Sequence, residues 1–152
     1  RHSFPTRRSS DLADIVLDPN EVDIASEIIK LTDGVGVDMA FETTGAQIGF
    51  DTGIASLKFE GTLVITSIWE DDIKFNPNVL VFSEKNIVGT IGYRHEFPET
   101  IAQMSDGRIK ANGYITKKIS LEDVVTEGFG TLTGPDKKQQ VKILVTPDNS
   151  LL

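Results

Sequence analysis

The feature that most constrains the fold is an alternation of short apolar runs with longer runs of helical period. The helical period is clearest in the stripe formed by Ile24, Ile28 and Leu31. Strand–helix–strand alternation implies crossover connections, which produce a parallel sheet covered by helices. The sequence therefore predicts an α/β fold with a doubly wound parallel sheet. Strands are expected at 13–18, 37–45, 62–69, 86–93 and 141–147.

Capping signals set the expected helix boundaries. Asp18 precedes Pro19 and lies three residues before Glu21, a pattern typical of a helix start. The first helix is therefore expected to begin at Pro19 and to end at the glycines of Asp33–Gly36. Further helices are expected over 46–61, from 97 to a stop at 107, and from 121 behind a serine cap at 120.

Composition excludes several kinds of site. The 152-residue chain carries a net charge of −8, which disfavours nucleic acid or an anionic membrane as the main partner. It has no cysteine and two histidines, so thiolate and histidine-rich metal sites are excluded. Asp33–Gly36 lacks the preceding strand and following helix of a dinucleotide-binding glycine turn. We interpret His95 as a surface or capping residue and the acidic run Glu70–Asp72 as a solvated loop.

The N-terminal residues 1–12, RHSFPTRRSSDL, are arginine-rich and show no periodicity. A basic arm and a targeting peptide are two interpretations. A third fits better, because Ser3–Leu12 resembles one reading frame of a common sequencing adapter. We therefore expect the natural sequence to begin at Ala13 with its N-terminal portion missing. Without residues 1–12, which hold three arginines and one aspartate, the net charge is −10. Source DNA that encodes these residues would refute this interpretation.

Polar or small residues follow the apolar runs, in ETTG, TSIWE and GYRHE. Ligands of doubly wound sheets bind beyond the carboxyl ends of the strands. These positions are therefore candidate ligand contacts. On spacing alone, ordinary polar loops at strand ends are the favoured interpretation.

Longer stretches carry a family resemblance, namely DGVGVDMAFETTG, GTLVITSIWE, NPNVLVFSEKNIVGTIGY and SLEDVVTEGF. From Ala13 to about Pro147 the chain resembles the C-terminal half of a zinc-dependent medium-chain alcohol dehydrogenase. Within that family it is most similar to the 2,3-butanediol dehydrogenases. The resemblance implies a partial Rossmann-type sheet containing only the later strands. It also implies a C-terminal segment that returns to the catalytic lobe, with domains at 13–97 and 98–152.

The same resemblance implies hydride transfer between NAD(P) and a secondary alcohol or vicinal diol, assisted by zinc. The zinc ligands, the Gly-x-Gly-x-x-Gly turn and the ribose-binding acid are all expected before Ala13. No catalytic or metal-binding residue is therefore expected in this chain. NAD(P) and zinc are expected in the intact parent enzyme, and neither is expected to be fully bound by this chain alone. We also expect the isolated chain to be inactive.

Cofactor contacts can be carried over by position from the family. Thr43, Thr44 and Gly45 correspond to residues that flank the adenine and its ribose. The strand end that faces the nicotinamide corresponds to Thr66, Ser67 and Ile68. The other side of the nicotinamide carboxamide corresponds to Thr90, with Gly92 as a further candidate. Two interpretations of Trp69 remain: it packs near the cofactor, or it is an ordinary buried or rim aromatic residue.

The resemblance also implies a partner. In related enzymes the strand matching Asn86–Tyr93 lies at the sheet edge and pairs with its twin, so a homodimer or tetramer is expected. An unpaired apolar edge would favour aggregation. We expect a cytoplasmic enzyme with no nucleic-acid or membrane partner. The alternative is a non-catalytic α/β module that binds a nucleotide or a protein.

Overall fold

A computed structural model describes residues 13–110 and 113–152. The adapter-like residues 1–12 therefore lie outside the described residues. The described chain divides into two compact units. One comprises Leu17–Tyr93, and the other comprises Arg94–Leu152 together with residues 13–16. Each unit contains its own parallel sheet, and each is described separately.

The first helix, α1, spans Ile24–Leu31, and the predicted start at Pro19 is wrong. Residues 19–21 form a single turn, in which the Asp18 carbonyl accepts the backbone N–H groups of Glu21 and Val22. The extended backbone of Asp23, with ψ of 107°, separates this turn from α1. The N-cap is Asp23, whose carboxylate accepts the backbone N–H of Ser26 at 2.8 Å. The end of α1 before the glycine-containing turn is as predicted.

The predicted strand at 13–18 is also wrong, since these residues form no strand. Strand formation requires backbone pairing with a neighbour. Within the part of the chain that is described, no strand pairs with this run. Ile15 and Val16 are accordingly more than half exposed.

The sheet of the first unit has three parallel strands in the order β1 (Val37–Glu42), β2 (Leu57–Ile65) and β3 (Asn86–Gly89). Helix α2 (Gln47–Ser56) connects β1 to β2, and the short helix α3 (Asn78–Val81) precedes β3.

Several boundaries differ from the sequence prediction. The strands predicted at 37–45 and 62–69 end earlier, at Glu42 and Ile65, which form the last pair between β1 and β2. β2 begins at Leu57, inside the predicted helix, because this side chain is 3% exposed and its residue pairs opposite Val37 in β1. β3 ends at Gly89 instead of continuing to Tyr93. Its last pair is with Ile65, where the partner strand β2 itself ends.

The core of this unit lies between α2 and the sheet. Its buried side chains are Phe50, Ile54, Leu57 and Leu63. The Phe50 ring packs 5.3 Å from that of Phe75, measured between ring centroids. By contrast, Met39 and Phe41 of β1 are at least half exposed. They line an apolar groove of about 480 Å³ between α1, β1 and α2, called the β1 groove below.

The second unit contains helix α4 (Glu96–Ser105) and a parallel pair of strands, β4 (Ile115–Ser120) and β5 (Lys142–Thr146). Between the strands lie a π-helix (Val124–Phe129), helix α5 (Gly130–Thr133) and a 3₁₀ helix (Pro135–Gln139), and a 3₁₀ turn (Asn149–Leu151) follows β5.

The helix predicted from Leu121 begins later than expected, at Val124, and has π geometry. The expected cap contact is present, because the Ser120 hydroxyl accepts the backbone N–H of Asp123 at 3.2 Å. It also donates to the Asp123 carboxylate at 2.8 Å. The helix predicted to stop at Gly107 and the strand predicted near the C-terminus are both present.

The predicted α/β class with parallel pairing is confirmed. No helix in residues 13–110 or 113–152 is long and apolar enough to cross a membrane.

Candidate functional site

The carboxyl ends of β1, β2 and β3 lie along one edge of their sheet, since the three strands are parallel. This strand-end edge carries the predicted contacts Thr43–Gly45, Thr66–Ile68 and Thr90. The backbone N–H and the hydroxyl of Thr66 both donate to the Glu42 carbonyl at 3.0 Å. The Thr90 N–H donates to the Ile65 carbonyl at 3.1 Å. The structure therefore brings the predicted residues into adjacent positions.

The carboxylate of Glu42 lies beneath this edge and is 3% exposed. Its Oε1 accepts the backbone N–H of Thr44 at 2.7 Å, the Thr44 hydroxyl at 2.5 Å and the backbone N–H of Gly45 at 3.0 Å. Its Oε2 accepts the hydroxyl of Ser67. One side chain thus joins the loop after β1 to the loop after β2.

Opposing influences act on the pKa of Glu42. Burial is the largest and on its own raises the pKa, because it penalises the charged form. The hydrogen bonds from Ser67, Thr44 and Gly45 together outweigh it and hold the pKa below its ordinary value. The carboxylate is therefore ionised at neutral pH.

Two glycines make room for this arrangement. Gly45 has a φ of 66°, and a Cβ there would lie 2.8 Å from the carbonyl oxygen of Ile68, so the two loops approach closely. A Cβ on Gly49 would lie 2.8 Å from Oε1 of Glu42. The carboxylate therefore rests against the first turn of α2, where the helix dipole favours negative charge.

The hydrogen bonds of Glu42 decide which side-chain groups at this edge can contact a ligand. The hydroxyls of Thr44 and Ser67 already donate to the Glu42 carboxylate. Thr43 and Thr90 are exposed, and Ile68 is 85% exposed. The edge thus presents hydroxyl groups, the flat backbone at a glycine and an apolar side chain. This combination suits a ligand that carries planar rings and sugar hydroxyls.

Sequence reasoning missed Glu42 and Gly49. The available signal was a single acidic residue closing the apolar strand VDMAFE directly before TTG. The partner Ser67 lies 25 residues further along the chain. The contact therefore depends on tertiary structure that local patterns do not reveal.

The remaining candidates lie apart from this network. Trp69 packs edge-on against Phe50, with centroids 6.5 Å apart, and its indole N–H is buried without a partner among the described residues. His95 is exposed at the start of α4 and makes no side-chain capping bond. The run Glu70–Asp72 is exposed, as predicted. No cluster of three or more histidine, cysteine or acidic residues in the described chain could hold a metal ion.

The profile of the family described as "Zinc-binding dehydrogenase" matches residues 8–106, more than half of the chain. The chain therefore belongs to the zinc-binding dehydrogenase family, and the family predicted from the sequence is confirmed. It is 41% identical over 143 residues to an (R,R)-butanediol dehydrogenase of Bacillus subtilis and 40% identical over 141 residues to one of Neisseria gonorrhoeae. These matches cover 93% of this chain but 40% of each relative.

Solved structures agree with this assignment. The crystal structure of 2R,3R-butanediol dehydrogenase from Bacillus subtilis superposes with a TM-score of 0.82 at 43% identity. The match covers 88% of this chain and 38% of that one. An alcohol dehydrogenase from Thermus sp. ATN1 has a TM-score of 0.83 at 15% identity, covering 96% of this chain and 42% of that one, and shares the fold.

We predict an acid-sensitive contribution of Glu42 to stability. Its lowered pKa means that the contribution is present above the pKa of the unfolded chain and is lost as the pH falls through the lower folded value. Urea unfolding from about pH 7 to about pH 3 should show a steeper loss of stability for the wild type than for Glu42→Gln, which cannot titrate. Parallel pH profiles for the two proteins would contradict the prediction.

Proposed function

We propose that this chain is the cofactor-binding part of an NAD(P)-dependent alcohol dehydrogenase. The substrate is a secondary alcohol or vicinal diol of the 2,3-butanediol/acetoin kind. The observation that carries the proposal is the strand-end edge, where Thr43–Gly45, Thr66–Ile68 and Thr90 are adjacent and partly exposed. The identity to two butanediol dehydrogenases supports the choice of substrate.

Each segment of the edge has a proposed role. The loop Thr43–Gly45 contacts the adenine and its ribose, and the loop Thr66–Ile68 together with Thr90 contacts the nicotinamide. When bound, the nicotinamide supplies the hydride acceptor. The backbone N–H groups of Thr66 and Thr90 are already bonded within the sheet. These two residues therefore offer carbonyl oxygens and, at Thr90, an exposed hydroxyl.

In the proposed enzyme, zinc is bound by residues outside the region that this chain spans. The chain has no cysteine, and its described residues contain no cluster that fits the metal. The metal ligands are proposed to lie in the part of the relatives that this chain does not span. We accordingly propose that the isolated chain is inactive, with a cofactor domain at 13–97, a segment at 98–152 that returns to the catalytic lobe, and a cytoplasmic location.

A chimera tests this function. The residues of the Bacillus subtilis relative that precede its matched region are joined to residues 13–152, and the protein is purified with zinc. We expect NAD(P)-dependent oxidation of (2R,3R)-butanediol, followed by the absorbance of the reduced cofactor. A folded, zinc-loaded chimera without turnover on butanediol, acetoin or other secondary alcohols would contradict the proposal and would favour a non-catalytic binding module.

Two exposed positions of the chimera provide a test variant and its matched control. Ile68→Asp places a carboxylate on the proposed binding edge and should raise the KM for the anionic cofactor by about tenfold through like-charge repulsion. Val81→Asp adds the same charge at a 67% exposed position on α3 and should leave KM unchanged. Equal KM values for both variants would count against cofactor binding at the strand-end edge.

The oligomer is a second part of the proposal. Among the described residues, β3 pairs only with β2, so its other edge offers unpaired backbone groups beside the exposed Ile91 and Tyr93. We propose that this edge joins two subunits. Sedimentation of the chimera should show a dimer or tetramer, and Ile91→Lys should shift it towards monomer. A monomeric parent chimera, or no shift with the variant, would refute this interface.

A further inference from the structure

Glu42 is an unusual group for its position because it is a buried carboxylate satisfied only by neutral donors. None of the ion pairs among the described residues involves it. Its bonds come from two backbone N–H groups and two hydroxyls. A buried charge is costly unless it is fully hydrogen-bonded. Moving any of these donors away from the carboxylate therefore costs free energy, and this fixes the donors in place.

The two carboxylate oxygens of Glu42 accept hydrogen bonds from different loops. Oε1 bonds the loop after β1 through Thr44 and Gly45, whereas Oε2 bonds the loop after β2 through Ser67. Because Gly49 has no Cβ, the carboxylate can pack against the first turn of α2 and still reach both loops. It links the two loops beyond the point where Thr66 bonds to the Glu42 carbonyl.

We propose that Glu42 is a positioning residue of the cofactor site, which sets the spacing between the Thr43–Gly45 loop and the Thr66–Ile68 loop. This inference rests on the proposed function, since it assigns a purpose to the loops that the cofactor would contact. Glu42 lies beneath the edge and acts through Thr44, Gly45 and Ser67. It is not a catalytic residue.

The geometry predicts how substitutions differ. Glu42→Met fills a similar volume but removes every acceptor. Glu42→Gln can keep the bonds, because its amide oxygen accepts the two backbone N–H groups and its NH₂ donates to the Ser67 oxygen. Ser67→Ala removes only the bond to the loop after β2. A positioning role thus predicts rescue by glutamine and failure with methionine.

Two control variants separate positioning from general stability. Leu63→Val weakens the same core, since Leu63 is fully buried, without touching either loop. Ser56→Ala removes another buried serine hydroxyl, which donates to the Thr52 carbonyl at 2.7 Å within α2. Leu63 has no polar side-chain group, and the Ser56 hydroxyl is bonded within α2, so both variants should retain the loop geometry.

The first measurement needs no cofactor. Amide hydrogen exchange of the full 152-residue chain is followed by NMR at Thr44 and Gly45. We expect exchange at both amides to accelerate by about tenfold or more in Glu42→Met and to stay within about threefold of wild type in Glu42→Gln and in both controls. Unchanged exchange in Glu42→Met, or equal acceleration in Leu63→Val, would overturn the proposal.

The second measurement is the Kd for NAD⁺ of the chimera carrying the same substitutions, determined by isothermal titration calorimetry. We expect affinity to fall by about tenfold in Glu42→Met and by a smaller factor in Ser67→Ala, with Glu42→Gln and both controls near wild type. Wild-type affinity in Glu42→Met would overturn the positioning role while leaving the proposed function intact.

A folded chimera with wild-type residues 13–152 that binds no NAD⁺ would refute cofactor binding at this edge and the cofactor part of this inference together. The exchange result would still decide whether Glu42 holds the two loops. The failure of the proposed function and the failure of the positioning role are therefore distinguishable.

Discussion

The bonds of the Glu42 carboxylate are the interaction on which the strand-end edge depends. Parallel pairing aligns β1 and β2, but it ends where the strands end. Thr66 adds two bonds to the Glu42 carbonyl just past the strand ends. Beyond these the loops are joined by the Glu42 side chain and by the close approach of Gly45 to the Ile68 carbonyl. A carboxylate is well suited to the task, because its two oxygens accept several bonds in different directions.

This arrangement supports the proposal that the edge is a binding surface although its loops are short. The hydroxyls of Thr44 and Ser67 face inwards to Glu42, whereas Thr43, Ile68 and Thr90 remain exposed. The inward groups fix the backbone, and the outward groups are free for a ligand. Binding sites built on a fixed framework lose less conformational entropy when the ligand arrives.

Local patterns in the sequence predicted the elements well and the tertiary contacts poorly. The stripe of Ile24, Ile28 and Leu31 predicted α1, but its start was misplaced because Asp18 and Asp23 are equally good caps on sequence grounds. The run 13–18 has strand composition, yet a strand forms only against a partner. Leu57 was assigned to a helix because its burial against α2 is invisible locally.

The candidate site shows the same division. Parallel topology predicted that the strand ends would share one edge, whereas the choice of Thr43–Gly45, Thr66–Ile68 and Thr90 came from the family resemblance. That Glu42 would be buried and bonded to Ser67 was not predicted, because an acidic residue at the end of a strand ordinarily faces solvent. The cofactor roles of these residues remain a prediction.

A crystal structure of the chimera with NAD⁺ tests most directly the proposal that the strand-end edge receives the nicotinamide cofactor. We expect the adenine over Thr43–Gly45 and the nicotinamide beside Thr66–Ile68, with the Glu42 bonds intact. Cofactor bound instead in the β1 groove, or strand-end loops separated with Glu42 turned to solvent, would contradict it.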